Sequence, residues 1–433
     1  MYRRCDTAES GIGLRNYLCD TDGTGGHLKT YPEDFVVREV SDPPRAKPNG
    51  DYTIFKVTTR NWETNRLIRM LSRSMGVSRD RIGFAGTKDK RAVTTQLMSV
   101  YGDENLLKKV DLKDVEFGDV YRGARAIRIG DLLGNEFEIT VRDCSVPMDM
   151  ARELVEADVE QIGSVGGFPN YFGVQRFGAV RPVTHLVGER IVRGDFEGAV
   201  RTYICYTTEE EEADVSSVRR SLEGCEDWES AMKAMPEAMS FEKTMAGVLA
   251  KDPEDWVGAL SILPYNLQMM FVHAYQSYLF NEILSIRMDE GLPLNIPVEG
   301  DMVVPMDQNG NPDHENPVLV TSRNIDLVMR QVRSRRAYVS ISLFGSDSVL
   351  AQGAMGEIEN RVVESHKLER EDFVIPELPR CSSKGSRREV ICPVKDLKAE
   401  FSEDSYKLSF GLPKGNYATC LLREFMKSEM RDY

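Results

Sequence analysis

The segment Glu33–Val40, EDFVVREV, alternates apolar and polar residues, the period of a strand with one buried face. Tyr52–Arg60, YTIFKVTTR, reads as a second strand, reached through the turn-rich connector PPRAKPNGD. The period then changes. With Asn61 or Thr64 as its cap, a helix through about Met75 gathers Leu67, Ile68, Met70 and Leu71 on its apolar side. Arg66, Arg69 and Arg73, spaced three and four apart, share another face of that helix and suit the tracking of a phosphate backbone. RIGFAGTKDKR is an apolar run ending in glycine and charge, and AVTTQLMSVY is β-rich. ARAIRIGDLLGNEFEITVRD reads as two strands around the turn GDLLGN, and Met148 to Gly163 reads as a helix.

Beyond that point the texture shifts. GGFPNYFGVQRFG is rich in glycine and aromatic residues. Leu263 to Arg287 carries a strong helical stripe (Phe271, Tyr275, Tyr278, Leu279, Ile283) of the kind that packs in a core. Residues 293–320 read as loops with short strands, and Ile325 to Ala337 as a helix with Arg330, Arg333, Arg335 and Arg336 at its end. ELPRCSSKGSRRE is a basic connector, and SYKLSFGLPKGNYATCLLREFM closes the chain as strand, turn and helix. No internal repeat stands out. The class is α+β, with mixed or antiparallel strands.

The length of 433 residues suits about two to three domains. No stretch approaches the ~18 apolar residues of a membrane span. The start, MYRRCDTAESGIGLRNYLCDTDG, lacks the apolar core of a signal peptide, so the expected location is cytoplasmic. The eight cysteines form no C-x-x-C pair and the five histidines no H-E-x-x-H, which argues against a metal site. Neither a P-loop nor a strand followed by G-x-G-x-x-G is present, which argues against a nucleotide cofactor.

The formal charge of −14 at first speaks against a nucleic-acid partner, but its distribution reverses that. Residues 201–260 hold 14 acids against 6 bases, a net of −8, including the run Glu209 to Glu212, read as a solvated loop or helix edge. Residues 56–91 hold 10 bases against 3 acids, a net of +7. That segment offers a basic face to a polyanion, although a solvated helix face accounts for the charge equally well.

Asp89 lies among Lys88, Lys90 and Arg91, cations that favour its charged form. An ionised aspartate suits a nucleophile or electrostatic role. An exposed aspartate in a basic turn is, however, ordinarily a local ion pair worth little.

The stretch FAGTKDKRAVTTQ resembles the signature of the TruD family of tRNA pseudouridine synthases, with Asp89 on that family's catalytic aspartate. Four further segments match in the same order. LKTYPEDFVVREV carries Lys29 and Phe35, GNEFEI carries Asn135 and Phe137, PNYFGVQRFG opens an inserted domain, and LPKGNYATCLLRE closes the chain. The acidic stretch from about Arg201 to Leu260 has no counterpart in the shorter bacterial members.

The resemblance implies an α+β architecture: a pseudouridine synthase catalytic domain (1–167 and 393–433) split by an inserted TRUD domain (168–392), with RNA in the cleft between the lobes. The basic patches, Arg330 to Arg336 and Arg380 to Arg388 among them, are expected to face that cleft, with Glu209 to Glu212 pointing away. It implies isomerisation of a tRNA uridine, at position thirteen, to pseudouridine by a cofactor-free, metal-free, monomeric enzyme. Asp89 attacks the ribose carbon or acts as base while a glycal forms, routes the residues leave open. A stacked target must be flipped out. Phe137 is implied as the ring that stacks on the flipped base, with Asn135 supporting the loop, Lys29 pairing with Asp89 or a phosphate, and Phe35 as a pocket wall. Phe137 in a strand and Asn135 in a turn suit purely structural roles as well. Lys88, Arg66, Arg69, Arg73, Asn170, Gln175 and Arg176 are the remaining candidate RNA contacts. An RNA-binding protein of this fold without catalysis is the alternative. A nuclease or phosphotransferase would want clustered carboxylates for metals, and none accompany Asp89.

Overall fold

The computed structural model describes residues 2–307 and 310–433; Gln308 and Asn309, within the expected loop region 293–320, lie outside the described residues. The chain divides into two compact units, and its α+β class is as the pattern of periods implied.

One unit comprises Thr21–Phe168, Cys392–Ser428 and Asp432–Tyr433. Its strands are β1 (Phe35–Ser41), β2 (Tyr52–Arg60), β3 (Ile82–Phe84), β4 (Val93–Tyr101), β5 (Val115–Gly123), β6 (Leu132–Arg142), β7 (Lys395–Phe401) and β8 (Ser405–Pro413). They form one sheet in the order β7-β8-β6-β1-β4-β2-β5, with β3 paired to the far part of β4. Only β1 and β4 run parallel, so the sheet is mixed. Because side chains alternate along a strand, register decides which residues share a face. Val37 of β1 lies opposite Phe137 of β6, which lies opposite Phe410 of β8; Glu39 lies opposite Asn135, and Asn135 opposite Leu412.

Helix α1 (Thr64–Met75) covers the same sheet. Its Leu67, Ile68, Leu71 and Met75 pack on Phe55, Val57, Met98 and Val100, burial worth about 1.5–3 kcal/mol per side chain. The cap is neither Asn61 nor Thr64. Glu63 takes the amides of Asn65 and Arg66 with its carboxylate, a charge also favoured by the helix dipole. The expected strand pair around GDLLGN is a single strand, β6. Residues 124–131 lead into it as a turn, fixed by Asp131 accepting from Arg128 N and Arg125, and β5 lies further upstream. Helices α2 (Met148–Val165) and α3 (Ala418–Met426) complete the unit.

The other unit comprises the described residues of Met1–Asp20, Pro169–Ile391 and Glu429–Arg431. The first twenty residues were expected in the catalytic domain but belong here. Gly13, at φ 85°, brings the chain so close to helix Tyr265–Asp289 that a Cβ would sit 2.8 Å from that of Asn281. Asn281 Nδ2 donates to Ile12 O at 3.1 Å, and Asn16 Nδ2 to Ser285 O at 2.9 Å. The helix Tyr265–Asp289 is buried on most sides. Strands Val318–Leu319, Met302–Pro305, Ala337–Leu343 and Ser386–Glu389 form a separate antiparallel sheet in that order. Residues 337–343 thus follow the helix Ile325–Arg333 as a strand.

The acidic segment is largely helical, with the run Glu209 to Glu212 in the loop between helices Phe196–Cys205 and Ala213–Ser221, as expected. Phe196–Cys205, Trp228–Ala234 and Trp256–Ser261 begin alike, after the capping aspartates of DFEGA, DWESA and DWVGA. Asp195, Asp227 and Asp255 each accept the amide three residues on, at 2.8, 3.0 and 2.7 Å, so two of the acids within 201–260, Asp227 and Asp255, are helix caps. Glu209, Glu210 and Glu212 are exposed, but Glu211 turns inward to Arg219 at 2.8 Å.

Candidate active site

The site begins with the turn before β1. Asp34 accepts from Tyr31 N at 2.8 Å and receives Arg142 of β6 at 2.9 Å, which anchors the entry to the strand. Just upstream Lys29 has φ 59°, a left-handed conformation that costs a non-glycine residue about 1–2 kcal/mol. Strain of this kind gathers where side-chain placement matters. The Lys29 ammonium lies 4.3 Å from the centre of the Phe35 ring and 3.6 Å from Asp89 Oδ1.

Asp89 sits on the loop between β3 and β4, its side chain 51% exposed. Buried Ala85 and Ala92 hold the loop ends, and Arg91 donates to Thr30 O at 3.2 Å, joining the loop to the Lys29 segment. Phe35 meets Phe137 edge-on with ring centres 6.3 Å apart, and Phe137 stacks on Phe410 at 5.2 Å. Asp89, Lys29, Phe35 and Phe137 are therefore linked by consecutive contacts. Phe137 is only 7% exposed. Asn135, one pleat further along β6, leaves its Oδ1 buried without a hydrogen-bond partner among the described residues, as does Gln96 Oε1 of β4.

The structure places other expected contacts elsewhere. Lys88 was expected to meet RNA, but its side chain is 4% exposed and pairs with Glu39 Oε2 at 2.6 Å. Asn170 is 2% exposed, accepts from Arg388 at 2.6 Å and donates to Glu389 O at 3.0 Å, so it latches its own unit rather than facing solvent. Arg176 donates to Ser277 Oγ at 3.1 Å and lies over Phe172, while Gln175 is exposed. Within the expected basic patch 380–388, Arg387 is buried against Glu359 at 3.2 Å and Arg388 covers Phe172 at 4.2 Å, so neither guanidinium is open to a polyanion. Arg66, Arg69 and Arg73 are exposed on α1 and form no ion pair among the described residues, with Arg66 stacked 5.1 Å from Trp62. Glu39, Gln96 and Phe410 were missed. Strict period-two phasing puts Glu39 on the buried face with Phe35 and Val37, a signal legible in EDFVVREV.

Among the described residues, no three His, Cys, Asp or Glu side chains gather as metal ligands, and no helix is long and apolar enough to cross a membrane. A family model described as tRNA pseudouridine synthase D (TruD) matches residues 11–425. Relatives named tRNA pseudouridine synthase D include one from Methanococcoides burtonii, 43% identical over 428 residues and 97% of each chain. Another, from Methanosarcina acetivorans, is 41% identical, with 97% of this chain and 96% of the relative covered. A crystal structure of a tRNA pseudouridine synthase D (TruD) chain from Methanosarcina mazei superposes with a TM-score of 0.89 at 40% identity, covering 99% of this chain and all of that one. With motif, length and fold all matched from end to end, this chain belongs to the TruD family of tRNA pseudouridine synthases.

Proposed function

We propose that this tRNA pseudouridine synthase works through Asp89 on the uridine at position thirteen of tRNA. The observation that carries the reading is the pairing of Asp89 with Lys29 at 3.6 Å, beside the aromatic cluster of Phe35, Phe137 and Phe410. The reaction breaks the bond from uracil N1 to the ribose carbon, turns the base, and joins C5 to the same carbon. C5 loses its proton and N1 gains one, so no atom is added and nothing is oxidised. Asp89 must be ionised whether it attacks the sugar carbon or removes a ribose proton, and the Lys29 ammonium stabilises that charge.

The flipped uracil is placed against Phe137, whose ring is held by Phe410 on one side and Phe35 at its edge. The unpaired Oδ1 of Asn135 is an acceptor within the same sheet face. The exposed guanidinium groups of Arg66, Arg69 and Arg73 bind tRNA phosphates. The test is to incubate purified protein with unmodified tRNA transcript and map pseudouridine at nucleotide resolution. One new pseudouridine at position thirteen is expected; modification only at other uridines would overturn the target assignment.

A further inference from the structure

The residue before Asp89 is fixed far more firmly than Asp89 itself. Adjacent side chains in the extended loop point opposite ways: Asp89 is 51% exposed, while Lys88 is 4% exposed and reaches into the sheet. There Glu39, its side chain 1% exposed, accepts the Lys88 ammonium on Oε2 at 2.6 Å. Its Oε1 accepts from Ser41 Oγ at 2.6 Å and from Leu97 N of β4 at 3.3 Å, so the carboxylate is itself held by two strands. The Lys88 amide donates to Thr64 Oγ1, the first residue of α1, at 2.9 Å. Residue 88 is thus tied by side chain to the central strand and by backbone to the helix. Among the described residues Asp89 has one ion pair, with Lys29 at 3.6 Å, and its side chain is half exposed.

We propose that the buried Lys88–Glu39 pair is a positioning device that sets the location of the Asp89 carboxylate for the isomerisation. The proposal rests on the reading that Asp89 is catalytic. Two physical arguments support it. A buried ion pair is a poor way to gain stability, because desolvating both charges offsets most of their attraction and apolar residues often serve as well. Here it would hold one geometry, since an ammonium leaving Glu39 would strand a carboxylate that is 1% exposed. A misplacement of about 1 Å at a reacting group can cost roughly a hundredfold in rate. Neither Lys88 nor Glu39 is assigned contact with substrate, so both are positioning residues.

The experiment compares wild type with Lys88→Met, with the double variant Glu39→Gln/Lys88→Met, and with Asp89→Asn. Single-turnover pseudouridine formation at saturating enzyme, tRNA Kd and thermal melting are measured for each. Lys88→Met is expected to melt earlier and to react about a hundredfold more slowly, with tRNA Kd within about twofold of wild type. The double variant, which leaves no buried charge, is expected to regain the melting temperature but not the rate. A double variant with wild-type rate would overturn the proposal, as would a rate loss that more enzyme restores. If Lys88→Met does not fold, the double variant alone decides. An active Asp89→Asn would sink the catalytic reading itself. An inactive Asp89→Asn beside a fully active double variant would sink only the positioning role.

Discussion

Replacing Arg66, Arg69 and Arg73 together by alanine removes three exposed charges from α1, with them the Arg66–Trp62 stacking and the support Arg69 gives the Glu63 cap. Their side chains lie on the solvent face, the helix is held by Leu67, Ile68, Leu71 and Met75, and its cap is Glu63. Alanine is a strong helix former, so stability should change by no more than about 0.5 kcal/mol. None of the three guanidinium groups forms an ion pair within 4 Å among the described residues, although Arg69 lies near enough to Glu63 to favour its charge, so each can reach a phosphate. Each phosphate contact contributes roughly 0.7 to 0.9 to the slope of log affinity against log salt concentration. Losing three should flatten that slope by roughly 2 to 3. Between about 50 and 200 mM salt, the affinity gap between wild type and variant should therefore narrow roughly 20- to 40-fold. Titrating labelled tRNA at four or five salt concentrations measures this. A variant that binds more weakly with an unchanged slope would show that the three arginines do not meet phosphates.

Three further outcomes follow from burial and pairing. Burial pushes the His185 imidazole down to about 4 from its ordinary 6.5, beside Phe177 and Tyr278. Between those values the unfolded chain takes up a proton that the folded one refuses, so stability should fall by about 3 kcal/mol as pH drops from 6.5 to 4. His185→Phe should flatten this dependence in denaturant titrations, and an unaltered slope would refute the assignment. Arg219 bridges Glu211 and Glu242 at 2.8 and 2.7 Å, all three side chains nearly buried. Arg219→Ala should cost about 3 kcal/mol, visible in melting, while the salt dependence of tRNA binding stays as in wild type. Phe137→Leu, which removes the ring contacts with Phe35 and Phe410, should cost roughly 1–3 kcal/mol in stability and slow turnover of the folded variant roughly five- to hundredfold through lost stacking on the base; wild-type turnover would remove Phe137 from the base site.

Periodicity made the strands at 35–41 and 52–60 and the long helix at 265–289 readable, because each buries one face or is buried on most sides. It failed where polar residues have inward partners. Lys88 and Asn170 look like surface residues in a one-dimensional reading. Their partners, Glu39 and Arg388, lie 49 and 218 positions away, and register rather than composition brings them together. Within the acidic segment the same holds for Asp227 and Asp255, which cap helices, and for Glu211, which neutralises buried arginine. Asp89, Lys29, Phe35 and Phe137 were singled out by the motif resemblance, and the fold brings them together. Spacing alone cannot show that a loop, a strained turn and two strands converge, which depends on β1 pairing with both β4 and β6.

The central claim concerns one carboxylate, and it is tested most directly by single-turnover pseudouridine formation with Asp89→Asn. That side chain differs from aspartate mainly in charge, and the lost Lys29 contact lies at an exposed edge, so folding and tRNA binding should persist. The account predicts tRNA affinity close to wild type and no pseudouridine above background. Formation at the wild-type rate by the folded, tRNA-bound variant would contradict it.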